Sequence, residues 1–127
     1  MILLDTHVLV WLAQEPARVS RRASAAVRAA KGGLAISDIT MWELALLATR
    51  GRLILTGTVE AFVEEICSRV AVLPITPRVA TLASQFPPSY PKDPCDRLIG
   101  ATAVSEGIEL VSADDAIRKS GAVKTIW

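Results

Sequence analysis

Four acidic residues stand where predicted strands end or predicted helices begin: Asp5, Glu43, Asp96 and Asp114. Asp5 directly follows the apolar run "MILL", and Asp114 lies just past the strand-like "IELVS". Converging carboxylates without a counter-charge raise one another's pKa and destabilise a fold, and a divalent cation removes that repulsion. A site made only of oxygen ligands favours Mg²⁺ or Mn²⁺ over softer metals. Such a site can activate water and shield phosphate oxygens, which is what phosphodiester hydrolysis requires.

A simpler interpretation competes for each acid, because each can also belong to a helix cap. Three capping boxes are present, each joining residues three apart: Thr40 with Glu43, Asp93 with Asp96, and Ser112 with Asp115. Asp5 can cap the helix that follows it. In "KDPCDRLIGATA", residues 92–103, Asp93 is the predicted N-cap and Pro94 the first helical residue. Taken singly, capping and function are about equally supported.

Predicted strands and helices alternate along the chain. The strands are predicted at 1–4, 34–36, 70–75, 108–112 and 123–127, and the helices at 7–13, 17–31, 38–50, 58–66, 77–85, 94–106 and 113–120. This alternation predicts an α/β fold with a central parallel sheet of about five short strands and helices on both faces. Sites in such sheets gather beyond the carboxyl ends of the strands. All four acids are therefore expected at one edge of the sheet.

The composition is typical of one globular domain with its own core, because 51% of the 127 residues are hydrophobic and 21% are charged. No apolar run approaches the ~20 residues of a membrane span, and "MILLDTHVLVWL" has no basic leader. We therefore expect a cytoplasmic protein without membrane contact. The single histidine, His7, excludes a two-histidine nuclease, and no metal-ligand spacing indicates zinc.

The net charge of +1 conceals an uneven distribution. If four of the thirteen acids are gathered in one site, nine remain elsewhere against fourteen Lys and Arg residues. An acid-free run of cations comprises Arg18, Arg21, Arg22, Arg28 and Lys31. This run favours a solvated helix face over an RNA-binding strip, although both interpretations stand.

Four segments in order, "LLDTHVLVWL", "SDITMWELALLATRGRL", "DPCDRLIGATA" and "LVSADD", resemble PIN-domain ribonucleases. More narrowly, they are similar to the VapC-type toxins of bacterial toxin–antitoxin pairs. The resemblance covers the whole chain and implies a single PIN domain over 1–127, with the PIN-like three-layer sandwich.

The resemblance also implies roles for individual residues. Asp5 and Asp96 correspond to the main metal ligands, and Glu43 and Asp114 complete the site directly or through water. The family's metal acid directly precedes "RLIGA", which selects Asp96 and leaves Asp93 as the cap.

Further roles follow from the same resemblance. Thr6 and Ser112 occupy hydroxyl positions that can orient the acids or a water. The choice of Asp114 over its neighbour Asp115 rests only on the register of "VSAD". Family members cut RNA with a water activated by Mg²⁺ or Mn²⁺, so no side chain need be the base.

Three residues are candidates for binding substrate: Arg97, Lys92 and Tyr90. For Arg97 a salt bridge to an acid is favoured over a phosphate contact, and for the other two ordinary loop packing is equally supported. His7 is expected to be packed or hydrogen-bonded, and Trp42 to be a core or dimer contact.

The resemblance implies an RNA substrate, a homodimer that uses helix 38–50, and an antitoxin that blocks the acidic site. Two alternatives keep the fold: a housekeeping PIN nuclease in RNA processing, and a PIN-like binding module without catalysis. A receiver-like domain is disfavoured because the third strand ends in "LPITP" without an aspartate. A dinucleotide-binding fold is disfavoured because no Gly-rich turn follows the first strand.

Overall fold

A computed structural model describes all residues from Met1 to Trp127. The strands are β1 (Ile2–Leu4), β2 (Leu34–Ser37), β3 (Ala71–Leu73), β4 (Leu110–Val111) and β5 (Thr125–Ile126). The helices are α1 (Thr6–Gln14), α2 (Arg21–Ala29), α3 (Asp38–Thr49), α4 (Val59–Arg69), α5 (Pro77–Ser84), α6 (Pro94–Glu106) and α7 (Asp115–Ser120). A 3-10 turn spans Pro16–Arg18. None of the helices is both long and apolar enough to cross a membrane.

The five strands form one parallel sheet in the order β3-β2-β1-β4-β5. Strand β1 lies at the centre, where Leu3 pairs with Ala35 of β2 and Leu110 of β4. Successive strand residues point to opposite faces, so Leu3 and Leu4 enter two separate hydrophobic clusters. The result is the predicted α/β sandwich, a sheet covered by helices on both faces.

Two predicted elements differ from those observed. The predicted helix 17–31 is divided into the 3-10 turn and α2, because the Ser20 hydroxyl accepts a hydrogen bond from the Ala23 N–H and caps a new helix there. The predicted strand 70–75 ends at Leu73, since Pro74 has no N–H to continue a ladder.

Tyr90 fixes the start of α6 against the proline-rich loop before it. Its ring is 1% exposed and stacks on Phe86 with 4.2 Å between ring centroids. Its hydroxyl donates a 2.7 Å hydrogen bond to the Asp96 carbonyl. A Cβ at Gly100 would lie 2.1 Å from the Tyr90 Oη, so the glycine makes room for this tyrosine. Tyr90 therefore cannot stack on an RNA base, and its candidacy for substrate binding is wrong.

We predict that Gly100→Ala destabilises the protein by about 2 kcal/mol, because the added methyl group displaces Tyr90 from a packed site. At an open helical position the same change would stabilise by about 1 kcal/mol, so the sign of the effect is informative. Urea unfolding measures it. Tyr90→Phe removes the closest clashing atom and should recover part of the loss, and a Gly100→Ala protein as stable as the wild type would contradict the packing described.

Candidate functional site

The carboxyl edge of the sheet brings the four predicted acids together from separate parts of the chain. Asp5 follows β1, and Asp114 follows β4 and caps α7. Glu43 projects from α3 and Asp96 from the first turn of α6. The charges of the other three all raise the pKa of the Asp96 carboxyl, which indicates mutual proximity.

Asp5 is the most deeply buried of these acids, with 4% of its surface exposed. Its Oδ1 accepts a 2.9 Å hydrogen bond from the Thr6 N–H, so it caps α1. Its Oδ2 accepts a 2.7 Å hydrogen bond from the hydroxyl of Ser112, which is fully buried. Both contacts come from neutral donors, so they orient the carboxylate without supplying a counter-charge.

His7 is hydrogen-bonded, as predicted, and its contacts determine its protonation. The Ala113 N–H donates a 3.0 Å hydrogen bond to Nε2, which must therefore lack a proton. Nδ1 lies 3.5 Å from Asp5 Oδ2. The ring is accordingly a neutral imidazole with its proton on Nδ1, facing the carboxylate.

The Glu43 side chain is oriented by a residue distant in the sequence instead of by a residue of its own helix. The Thr6 hydroxyl donates a 2.6 Å hydrogen bond to Glu43 Oε1 and lies 3.1 Å from the Thr40 hydroxyl. The proposed box of Thr40 with Glu43 is therefore wrong, because Ser37 caps α3. Burial is the main cause that raises the pKa of Glu43; the Thr6 hydrogen bond opposes it, and the charges of Asp5 and Asp93 add to it.

Asp93 and Asp96 have different roles: Asp93 is an N-cap, and Asp96 has a free carboxyl. Asp93 Oδ1 accepts a 3.0 Å hydrogen bond from the Asp96 N–H, which is the predicted N-cap. Burial raises the pKa of the Asp96 carboxyl to about 7, and repulsion from the surrounding carboxylates adds to it. Asp96 thus lies next to uncompensated negative charge at neutral pH.

The same negative field acts on neighbouring groups that are not acids. Burial and then the charges of Glu43, Asp93 and Asp96 raise the pKa of the Cys95 thiol to about 11. No Lys or Arg forms an ion pair with any of the four predicted acids. The negative charge of the edge is therefore not balanced by cationic side chains.

The two adjacent aspartates after β4, Asp114 and Asp115, make different contacts. Asp114 Oδ1 accepts a 2.9 Å hydrogen bond from the Ile117 N–H, and the Asp114 N–H donates to the Ser112 hydroxyl. Asp115 is exposed and lies 3.3 Å from Arg118. Asp114 is thus the member joined to the acidic cluster, and the box of Ser112 with Asp115 is wrong.

The donor set fits a hard divalent cation in its chemistry, since it consists of carboxylate oxygens that repel one another. No three His, Cys, Asp or Glu side chains converge tightly enough to enclose an ion as they stand. A bound cation would therefore require the carboxylates to rotate toward it.

The remaining candidates occupy varied positions. Arg97 donates a 3.1 Å hydrogen bond to the Ala83 carbonyl and forms no ion pair, so the expected salt bridge is wrong. Lys92 is exposed beside Asp93. Trp42 is 56% exposed, which excludes a core role.

Two residues at this edge were not recognised from the sequence. Thr40 was assigned to a cap, yet its buried hydroxyl joins Thr6; its position three residues before Glu43 on one helix face was the available signal. Asp38 accepts the Ile75 N–H through Oδ2, while its Oδ1 is buried without a partner. Nothing local in the sequence indicates the Asp38 contact, which spans 37 positions.

The raised pKa of Asp96 predicts that the metal-free protein becomes less stable as the pH rises. The folded state keeps the proton up to about pH 7, whereas 3.8 is the unperturbed value, so the folded state binds more protons between these values. The free energy of unfolding therefore decreases as the pH rises through the range between these two pKa values. The decrease is about 1–2 kcal/mol after allowance for solvent screening.

Urea unfolding in EDTA at pH 5 and pH 8 measures this loss. Asp96→Asn should lessen it, whereas Asp93→Asn, which retains a good cap, should keep most of it, because burial is the main cause of the raised pKa and Asp93 adds only part of the repulsion. An Asp96→Asn protein with the pH dependence of the wild type would contradict the assignment.

Comparisons with known proteins show which family the chain belongs to. The family profile described as PIN domain matches residues 2–122. Ribonuclease VapC22 of Mycobacterium tuberculosis (strain ATCC 25618 / H37Rv) is 40% identical over 128 residues, covering 99% of this chain and 98% of that protein.

Two solved structures are similar in fold. VapBC-1 from nontypeable Haemophilus influenzae has a TM-score of 0.74 at 18% identity, covering 98% of this chain and 96% of that one. A toxin–antitoxin complex from Klebsiella pneumoniae has a TM-score of 0.66 at 23% identity, covering 90% and 87%. At these identities the likeness concerns the fold alone. The family profile and the 40% identical relative together show that the chain belongs to the PIN-domain family.

Proposed function

We propose that the chain is an endoribonuclease dependent on Mg²⁺ or Mn²⁺, acting in the cytoplasm as a single PIN domain over residues 1–127. The observation that carries this proposal is the Asp96 carboxyl, whose pKa is raised to about 7 by burial and by four surrounding carboxylates. A fold does not retain such repulsion for stability, because an unpaired buried charge is costly. The negative charge around Asp96 would be offset by a cation. It also lies at the carboxyl edge of the sheet, where α/β proteins place their sites, and both features support a catalytic role.

In this proposal Asp5 and Asp96 are the main metal ligands, and Glu43 and Asp114 complete the set. The cation, when bound, would lower the pKa of a water and offset the negative charge of the attacked phosphate. The chain itself presets the ligands. The Ser112 hydroxyl donates a hydrogen bond to Oδ2 of Asp5. A further lone pair on each carboxylate oxygen remains available to a cation.

Thr6 has the equivalent role for Glu43. Its hydroxyl donates to Oε1, which keeps that carboxylate turned toward β1 instead of solvent. The neutral His7 ring, with Nε2 occupied by the Ala113 N–H, is not available to accept a proton. His7 is thus not positioned as a general base, which is consistent with a water activated by the cation.

We further propose that the enzyme is the toxin of a toxin–antitoxin pair, with a protein antitoxin that covers the acidic site. The 40% identity to a protein named Ribonuclease VapC22, over nearly the whole chain, supports this role. The fold of a chain in a toxin–antitoxin complex supports it in a weaker way. A housekeeping nuclease would use the same site, so the presence of a neutralising partner separates the two.

A homodimer is proposed through α3. Trp42 is 56% exposed and borders a hollow together with Leu46 and Leu47 of the same helix. Large exposed aromatic side chains beside leucines are typical of protein interfaces. Lys92, exposed next to the acids, remains a candidate for steering RNA.

The first test is cleavage of a mixed tRNA and rRNA pool by the purified protein with Mg²⁺, Mn²⁺ or EDTA. Asp96→Asn removes a proposed ligand, so the rate should fall by about 100-fold or more. EDTA should abolish the cuts. Gel electrophoresis of end-labelled RNA follows both effects.

Asp93→Asn is the matched control, since it changes the same kind of side chain three residues away and preserves the N-cap. It should cut at close to the wild-type rate. Equal loss in both variants would show that Asp93 also belongs to the site. Cleavage that is insensitive to EDTA and to Asp96→Asn would reject the proposed mechanism.

A further inference from the structure

A second charged site, of the opposite sign, lies along α7, the helix that Asp114 of the acidic cluster caps. A hollow of about 300 Å³ is lined by Arg22, Asp115, Arg118, Lys119, Thr125 and Trp127. Three cations from α2 and α7 face one acid there, and that acid is paired with Arg118 at 3.3 Å. Arg22 and Lys119 are exposed and form no ion pair. Two cationic side chains in the hollow are thus free to bind an anion.

A series of aromatic ring contacts runs from the acidic site to the hollow. His7 lies against Asp5, its ring centroid is 4.9 Å from that of Trp11, and Trp11 is 5.9 Å from Trp127, which lines the hollow. Arg18, which is paired with Glu15 at 3.4 Å, lies 4.1 Å above the Trp11 ring. The two sites are therefore joined by contacts and not merely located on one molecule.

Helix α7 sets the separation between the two sites. It is capped by Asp114 of the acidic cluster, and Lys119 lies five positions later. At 1.5 Å per residue this is about 7.5 Å along the axis. The distance is comparable to the length of one nucleotide, so a strand with one phosphate at the acids reaches the hollow with a neighbouring phosphate.

We infer that this hollow, centred on Arg22 and Lys119, binds a phosphate of the RNA strand next to the phosphate that is cut. The two free cations more than offset the single negative charge of a phosphodiester. The indole of Trp127 offers an apolar wall for the adjoining sugar or base, the combination that single-stranded RNA uses. The inference rests on the proposed nuclease function, and it assigns part of the acid-free run of cations to substrate binding.

The test is binding of a short fluorescein-labelled single-stranded RNA, followed by anisotropy in EDTA so that no cleavage occurs. The double variant Arg22→Ala/Lys119→Ala should weaken binding by about 10-fold. The slope of log K against log salt should fall by about 0.7, the value for one lost phosphate contact to a single strand. With metal, the same variant should raise KM and leave kcat unchanged.

The matched control is Arg28→Ala/Lys124→Ala, which removes the same charge from exposed cations outside the hollow, one on α2 and one before β5. It should leave both the affinity and the salt slope near the wild-type values. Thermal unfolding of both double variants should match the wild type, because none of the four side chains forms an ion pair.

Equal weakening by the two double variants would overturn the inference, since it would show a general effect of charge. Unchanged RNA binding together with weaker binding of a protein antitoxin would overturn it as well, by assigning the hollow to a protein partner. If the wild type binds RNA through the hollow yet never cuts it, the nuclease proposal fails and the phosphate site stands. Asp96→Asn should not weaken RNA binding in EDTA, because it only removes negative charge near the bound strand, and this result separates binding from cleavage.

Discussion

The fold at the carboxyl edge depends on one constraint: a buried carboxylate, Asp5, is held at the end of the central strand by neutral donors. Ser112 and the Thr6 N–H satisfy its two oxygens, but neither brings positive charge. The charge of Asp5 acts on two of the other acids, since it adds to the raised pKa values of Glu43 and Asp96. The raised pKa of Asp96, caused first by burial and then by repulsion from Asp5 and its neighbours, is the consequence. We propose that a bound cation, which the protein does not itself provide, offsets this charge.

The molecule places its charges with a clear asymmetry. The acids lie at the start of α6 and α7, and free cations lie around α2 and the end of α7. A net charge of +1 conceals both regions. In the proposed function, the cations attract the RNA backbone, and the acids would hold a metal ion beside the phosphate that is cut. Aromatic contacts from His7 to Trp127 connect the two regions.

The sequence predicts much of this site because its signals are local. Asp5, Asp93 and Asp114 follow strands or begin helices, so the chemistry of strand ends and caps locates them without tertiary information. The sheet and its acidic edge follow from the alternation of elements. Tyr90 was misjudged because the space that buries it is created by Gly100, ten positions away.

Contacts between distant segments were also beyond the sequence. The Thr6 hydroxyl reaches Glu43 across 37 positions, and Ser112 reaches Asp5 across 107, so neither partner is evident from spacing. Arg97 was expected to form an ion pair, yet it satisfies a carbonyl of α5 because α5 and α6 pack together. Packing between elements that are distant in the sequence determines these contacts.

The most direct test of the acidic edge as a cation site is calorimetric titration of Mn²⁺ into the metal-free protein near pH 7. Repeating it in buffers with different ionisation enthalpies counts the protons that are released. Because the pKa of Asp96 is about 7, binding should release a fraction of one proton per site, and Asp96→Asn should bind weakly without that release. Absence of Mn²⁺ binding by the wild type at millimolar concentrations would contradict the account, and so would tight binding without proton release.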